Sequence, residues 1–551
     1  MLSDAHPHAN SSLDLPEPPA AGNDAITAGD LLKHIEVLAA PEFEGRSPGS
    51  RGEELSVAYI TAQFQALGLE PGNPDGTYVQ EVPLAGITST PVAAFTVGGH
   101  VTTLNFPDDF VAGSNRLVTE VEATESPVVF VGYGVAAPEY GWDDYKGVDV
   151  RGKTLLMLIS DPAIPDPQEP GKLDASMFKG KEMTYYGRWT YKYEIAAKMG
   201  AAAAVIIHET GPAGYPYSVV RMSWGKEHFT IDAPDRNMAT MPVRSWITRE
   251  VAAKLCADSG HPLEQLKQAA LSRDFRPIEM GIKANFHVRQ AVRPFQSHNV
   301  LAALPGANAA RADEWLIYTA HWDHLGKQSA LQGNGIFHGA VDNASGVAAL
   351  FNLARAFTVA TPRAERSVLF MAPTAEESGL LGAQYYAEHP LYPLDKTLAN
   401  INIDGISVHG KTADLEDLSN DNSTLDDLLG AAAARQGRTL KPNSRLENGG
   451  FYRADHFEFA KVGVPALYMK HGVELIGQPP GLGEKLESEF IAERYHKPAD
   501  QVSPDWDLSG AVQDMQLLFQ VGWAVANADT FPIWKPGSEF KARRDAMLAG
   551  K

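Results

Sequence analysis

Residues 315–326 read WLIYTAHWDHLG. Six residues without a charge, 315–320, run straight into His321, Trp322 and Asp323. So short an apolar run, rich in aromatic and branched side chains, reads as a β-strand buried on both faces. Three further runs share that character, at 367–372, 398–403 and 465–469. Helical stretches separate several of them. In 344–357, Val347, Leu350, Phe351, Ala354 and Phe357 recur with helical spacing. This alternation predicts an α/β domain with a mostly parallel central sheet flanked by helices.

Three of the runs end on side chains that bind metals. The first leads into His321 and Asp323, the second through Pro-Thr-Ala into Glu376 and Glu377, and the third into Asp404. In open α/β sheets ligands bind beyond the carboxyl ends of the strands, so these residues belong on one rim. The segment VDNASG sets Asp342 just ahead of a helix, and Tyr495-His496 precedes KPAD. Singly, each has an ordinary reading. Asp342 would cap a helix, Asp404 would sit in a turn before Gly405, and the Glu pair and His496 would face solvent. In combination, three carboxylates and two imidazoles match a site for one or two divalent cations of borderline softness, such as zinc.

Working outward, a helix opens at Thr27 with Leu31, Ile35 and Leu38 on one face. A second fits 53–71, with Tyr59, Phe64 and Leu67 near one stripe and Gly68 and Pro71 closing it. Residues 90–130 read as strands. From 126 to 275 short apolar runs are broken by Gly, Pro and Asp, with a helix at 193–199 and a strand at 202–207, which predicts an inserted domain. The expected division is a flexible extension at 1–26, the main domain at 27–125 and 276–530, the insertion at 126–275 and a C-terminal extension at 531–551.

The chain has 551 residues, with 47 Lys and Arg against 68 Asp and Glu, a net charge of −21. That acidity suits metal cations and argues against nucleic acid, whose phosphates need clustered cations. A hydrophobic content of 44% with 21% charged residues is that of a globular protein, not a disordered one. No run approaches the roughly 18 apolar residues of a membrane span. Cys256 is the single cysteine, so no intrachain disulfide holds the fold. The first 26 residues lack the charged-then-apolar pattern of a secretory signal.

The segments HWDHLG, GAVDNASG, TAEESGLLGA, NIDGIS and YHKPAD together resemble those of the M28 metallopeptidases, the co-catalytic zinc aminopeptidases. The order matches, with intervals of 342 − 321 = 21, 377 − 342 = 35 and 404 − 377 = 27 residues. EFEGRSPGS resembles the family's opening helix region, and 126–275 resembles the protease-associated (PA) domain that interrupts many members. The resemblance implies a zinc-peptidase-like fold with a mixed, β-rich PA insertion. It implies that His321 and Asp404 hold one Zn2+, Glu377 and His496 the other, and that Asp342 bridges both, with Co2+ or Mn2+ as substitutes. Glu376 would be the general base for a metal-bridging water. Asp323 would accept the other imidazole proton of His321, and the Asp342-Asn343 peptide would be cis. Tyr452, ahead of Tyr468, would donate to the oxyanion. His324, His338, His456 and His471 would be outer or surface imidazoles, and Asp455 an anchor of the rim.

The implied reaction is hydrolysis of the N-terminal peptide bond of peptide substrates that carry a free N-terminus. A carboxypeptidase or dipeptidase on the same scaffold is the rival, kept open by Arg453 and Lys470 near the presumed pocket. A binding protein that retains the fold without the chemistry is the alternative of another class. The resemblance favours a periplasmic or secreted location over a cytoplasmic one.

Overall fold

Along the strand Trp315–Thr319, Leu316 and Tyr318 face one side of the sheet while Trp315 and Ile317 face the other, and helices cover both. This is why the run carries no polar alternation. In the computed structural model, which describes residues 13–169, 171–328 and 335–549, the chain folds as two units. The first comprises residues up to 82, 296–444 and 453 onward; the second comprises 83–295 with 445–452.

At the centre of the first unit four strands lie parallel in the order Ala466–His471, Thr397–Asn402, Trp315–Thr319, Ser367–Ala372. Outside them, Asp414–Asp417 runs antiparallel to Ala466–His471 and parallel to Thr439–Pro442. On the other flank residues 300–304 pair antiparallel with Ser367–Ala372. The expected mostly parallel α/β sheet is present.

One face of this sheet is covered by the helices Ala28–Leu38, Arg51–Ala66, Ser345–Val359 and Ser509–Asn527. Leu381–Glu388 and His456–Lys461 cover the other. Thr27 starts the first helix by accepting the Asp30 N–H at 3.2 Å, and Leu31, Ile35 and Leu38 are buried as their spacing requires. Ser345–Val359 is buried on most sides, and its residues are mostly apolar or small, apart from Asn352, which accepts the Thr27 N–H, and Arg355, which pairs with Asp30. Phe357 meets the rings of Tyr318, Phe370, Phe519 and Trp523.

The second unit is also built on parallel strands. Glu120–Phe130, Thr154–Leu158, Ala203–His208 and Val243–Thr248 are parallel neighbours in that order. Residues 278–289 pair antiparallel at one edge and Phe110–Gly113 at the other. Ala203–His208 is buried throughout, and the helix Trp189–Lys198 packs beside it.

The observed limits differ from the expected ones for reasons that strand pairing explains. Residues 84–87 pair with His228–Ile231 and 110–113 with 244–247, so the stretch from 83 to 125 joins the second unit. Of the expected N-terminal extension, residues 1–12 lie outside the described residues. Residues 13–26 include Leu15 and Ile26, both buried in the core. In the expected C-terminal extension, Trp534 is buried and donates to the Gly463 carbonyl at 2.9 Å. Among the described residues no helix is long and apolar enough to cross a membrane.

Because Phe357 is fully buried among four aromatic neighbours, Phe357→Ala should lower the unfolding free energy by about 3–5 kcal/mol. Chemical denaturation would measure it. A loss below about 1 kcal/mol would contradict the packing described here.

Candidate metal centre

His321 leaves the end of its strand with the imidazole almost wholly buried. Its Nε2 lies 3.5 Å from Asp342 Oδ1, 3.4 Å from Asp404 Oδ1 and 3.8 Å from Glu376 Oε2. On the opposite side of the Asp342 carboxylate, His496 Nε2 lies 3.1 Å from Oδ2 and 3.1 Å from Glu377 Oε2. The two oxygens of one carboxylate therefore face two separate histidines, each accompanied by its own acid. The ligand atoms of His321, Asp342 and Asp404 fall within 4.8 Å of one another, as do those of His324, Asp342 and Glu377. The structure thus gathers His321, Asp342, Glu376, Glu377, Asp404 and His496.

Three polar side chains lace the loops together. Asp323 accepts the backbone N–H of Glu376 at 3.0 Å and of Glu377 at 3.3 Å. His321 Nδ1 lies 3.2 Å from the Asp323 carbonyl oxygen and 3.7 Å from its carboxylate, so the main chain is the nearer partner of the imidazole. Asp500, in KPAD, accepts the N–H of Val341 and of Asp342, the closest contacts at 3.0 and 3.1 Å. Asn343 accepts from the N–H of Gly346 and Gly405, each at 2.9 Å, and donates to the Ile403 carbonyl at 3.0 Å. The Asp342-Asn343 peptide is cis. Gly339 has to be glycine: its φ is +55°, and a Cβ there would sit 2.1 Å from the Asp342 carbonyl oxygen.

The electrostatics push adjacent acids apart. Burial, with Asp404, Glu377 and Asp455 nearby, holds the Glu376 carboxyl well above its usual range despite His321. Burial also acts upward on Glu377, but His496 and His324 bring it well below. Asp342 is lowered too, its burial and the repulsion of Glu377 outweighed by His496 and His324. Burial alone would lower His321 and His496; the field of Glu376 on the first, and of Glu377 on the second, carries both well above the ordinary histidine value. Two neighbouring carboxyls with opposed shifts are the mark of divided roles.

The donor set fits a cation. His324 Nδ1 and Glu377 Oε1 are 2.6 Å apart, yet neither atom has a hydrogen-bond partner of suitable geometry among the described residues. Two buried polar atoms converging without a hydrogen bond are costly, and a shared positive charge would satisfy both. Imidazole nitrogens with carboxylate oxygens suit a divalent ion of borderline softness.

Three residues gain importance that the sequence did not assign them. His324 stands beside Glu377 and Asp342; its signal was its place three residues after His321. Tyr495 stacks on His496 with ring centroids 4.0 Å apart. The residue is 46% exposed; its phenol is raised, first by desolvation and then by the fields of Asp342, Glu377, Asp404 and Glu376. Adjacency to His496 was the available clue. Asp500 closes the KPAD segment, and nothing in the sequence marks a role for it. Tyr468 lies beside His456, ring centroids 4.7 Å apart, with its phenol raised by burial and by Asp404. Tyr452 belongs to the second unit, where its ring neighbours Tyr185 and Phe451. Asp455 is fully buried, and both of its carboxylate oxygens lack a hydrogen-bond partner among the described residues.

Residues 299–520 match the model of peptidase family M28, and the resemblance read from the motifs is borne out there. Every side chain gathered around Asp342 falls inside that span. A stretch of 133 residues is 34% identical to the aminopeptidase NAALADL1 of Mus musculus, covering 23% of this chain and 16% of that protein. Over 111 residues the chain is 35% identical to a probable zinc metalloprotease of Pyrenophora teres f. teres, covering 20% of this chain and 23% of that one. The matched stretches thus span less than a quarter of either relative's length. Among solved structures, an aminopeptidase from Aneurinibacillus sp. strain AM-1 superposes with a TM-score of 0.50 at 18% identity. That likeness covers 94% of this chain and 98% of the other, and it is one of fold.

Replacing Asp323 by Asn would set an amide NH2 against one of the two backbone N–H groups it now accepts. Asp323→Asn should therefore weaken metal binding by about 10–100-fold. Competition against a chromophoric chelator would measure this; unchanged affinity would remove Asp323 from that supporting role.

Proposed function

We propose that this peptidase family M28 chain is a di-zinc aminopeptidase, removing the first residue from peptides with a free N-terminus. The observation that carries the reading is the divided carboxylate of Asp342. Oδ1 faces His321 at 3.5 Å and Oδ2 faces His496 at 3.1 Å, so one side chain can serve two metal loci. In this reading His321 and Asp404 complete one locus and Glu377 and His496 the other, with His324 at the edge of the second. Metal ions held there would supply Lewis acidity towards the scissile carbonyl and a water acidic enough to lose its proton near neutral pH.

The remaining work falls to side chains of this chain. Glu376 accepts the proton from the attacking water and passes it to the leaving amine. Its high proton affinity relative to Glu377 suits that exchange, while the lowered Glu377 stays anionic as a ligand. Asp323 holds the backbone of both residues, so the base and the ligand keep a constant separation. Tyr495, beside His496 and within the field of the same carboxylates, is the phenol best supported as donor to the developing oxyanion. Tyr452 is the weaker candidate on its surroundings. The second unit is proposed to be a protease-associated domain.

The polarity of the site favours an α-ammonium over an α-carboxylate. The side chains nearest His321 Nε2 are the acids Asp404, Asp342 and Glu376. Lys470, a cation that a carboxypeptidase would turn towards substrate, is instead paired with Glu487, which also faces His471 at 3.5 Å.

Glu376→Gln should retain the parent's zinc content while turnover falls by about 10²–10⁴-fold. Metal analysis beside steady-state kinetics would test this, and substantial residual turnover would remove Glu376 from the base role. Zinc-loaded protein should cleave an amino-acid p-nitroanilide and leave its N-acetylated counterpart intact. Equal cleavage of both would overturn the aminopeptidase assignment.

A further inference from the structure

Arg46, in the EFEGRSPGS segment, is completely buried in the first unit. All five of its N–H donors point at main-chain carbonyl oxygens. Nε donates to Trp322 at 2.9 Å, and Nη1 to Leu38 at 2.8 Å and His338 at 2.7 Å. Nη2 donates to Gly339 at 2.9 Å and, more loosely, to Asp342 at 3.5 Å. Trp322 lies between His321 and Asp323, whereas His338 and Gly339 lead into Asp342. One rigid guanidinium therefore binds the two loops that carry the first histidine and the shared carboxylate.

The segment around it is stitched to the same place. The Arg46 carbonyl accepts the His324 N–H at 3.2 Å, and the Gly45 carbonyl accepts the Gly326 N–H at 2.9 Å. A Cβ on Gly45 would fall 2.4 Å from the Gly326 carbonyl oxygen and 2.5 Å from that of Phe337, so this approach admits glycine alone. Burial brings the Arg46 guanidinium down to about 10, with Asp342, Asp500, Asp323 and Glu377 opposing the fall, and it stays charged at neutral pH. A buried cation whose direct partners are all neutral carbonyls is expensive unless its field is used. Here that field falls on the acids that crowd the metal centre.

We propose that Arg46 is a positioning residue for the metal pair: it sets the spacing between the His321 loop and the Asp342 loop and supplies a permanent positive charge beneath them. The inference rests on the metal-centre reading above. Lysine cannot replace it, because an ammonium has three donors and no planar fork to span both loops.

The test compares Arg46→Lys and Arg46→Ala with the parent, by zinc content, zinc affinity from chelator competition, and kinetics on an amino-acid p-nitroanilide. Arg544→Lys is the control, since Arg544 is another buried guanidinium bonded to carbonyls, those of Leu394 and Thr397. Zinc affinity should fall by about 10–100-fold in Arg46→Ala and measurably in Arg46→Lys, while Arg544→Lys keeps the parent's value. kcat should drop with KM within about threefold, the pattern of a misplaced site rather than lost substrate binding. Millimolar guanidinium should restore part of the zinc affinity of Arg46→Ala. Should that variant fail to fold, Arg46→Lys, checked by circular dichroism, carries the test. Parent-like zinc affinity in a folded Arg46 variant, or an equal loss in Arg544→Lys, would overturn the inference. A parent protein that binds no zinc would instead overturn the metal-centre reading itself.

Discussion

Carboxylates withdrawn from water repel one another, and the centre of this protein crowds Asp323, Asp342, Glu376, Glu377 and Asp404 around two imidazoles. Much of the surrounding structure answers that repulsion. Backbone N–H groups are spent on Asp323 and Asp500, a buried guanidinium lies below, and the histidines are driven towards their charged forms. A divalent cation answers it more completely, because it neutralises the acids and leaves the imidazoles neutral. The site is best understood as an arrangement whose charge balance is completed from outside the chain.

The sheet makes such crowding tolerable. Strands buried on both faces end abruptly at the rim, and their loops inherit a rigid base. His321, Glu377 and Asp404 follow three neighbouring parallel strands, and the lacing by Asp323, Asn343 and Asp500 crosses from one loop to the next. No single loop can drift without disturbing another. That interdependence also constrains residues outside the cluster of acids and histidines, such as Gly339 and Arg46.

The strands and helices of the first unit were legible because burial on one or both faces imprints a period on the chain. The helices at Ala28–Leu38 and Ser345–Val359 follow their apolar spacing closely. The gathered acids and histidines were legible in part because His321 and Asp404 directly follow apolar runs and the Glu376-Glu377 pair stands just beyond another. Long-range pairing was not. Nothing in residues 83–125 announces partners at 228–231 and 244–247, and the ends of the chain are polar sequences anchored by a few side chains such as Leu15 and Trp534. Arg46 carried no signal of its own in the sequence, because its partners are carbonyls, which leave no side-chain signature. Among the tyrosines, Tyr495 stacks on His496, while Tyr452 belongs to the second unit.

The divided carboxylate has one more consequence. Since Asp342 turns one oxygen to each histidine, its two halves cannot rotate independently about Cβ–Cγ. Whatever draws Oδ1 towards the first locus reorients Oδ2 at the second. In the proposed two-metal centre, occupancy of the two loci would therefore be linked, and the linkage would be reciprocal: filling either one would alter the affinity of the other by the same factor.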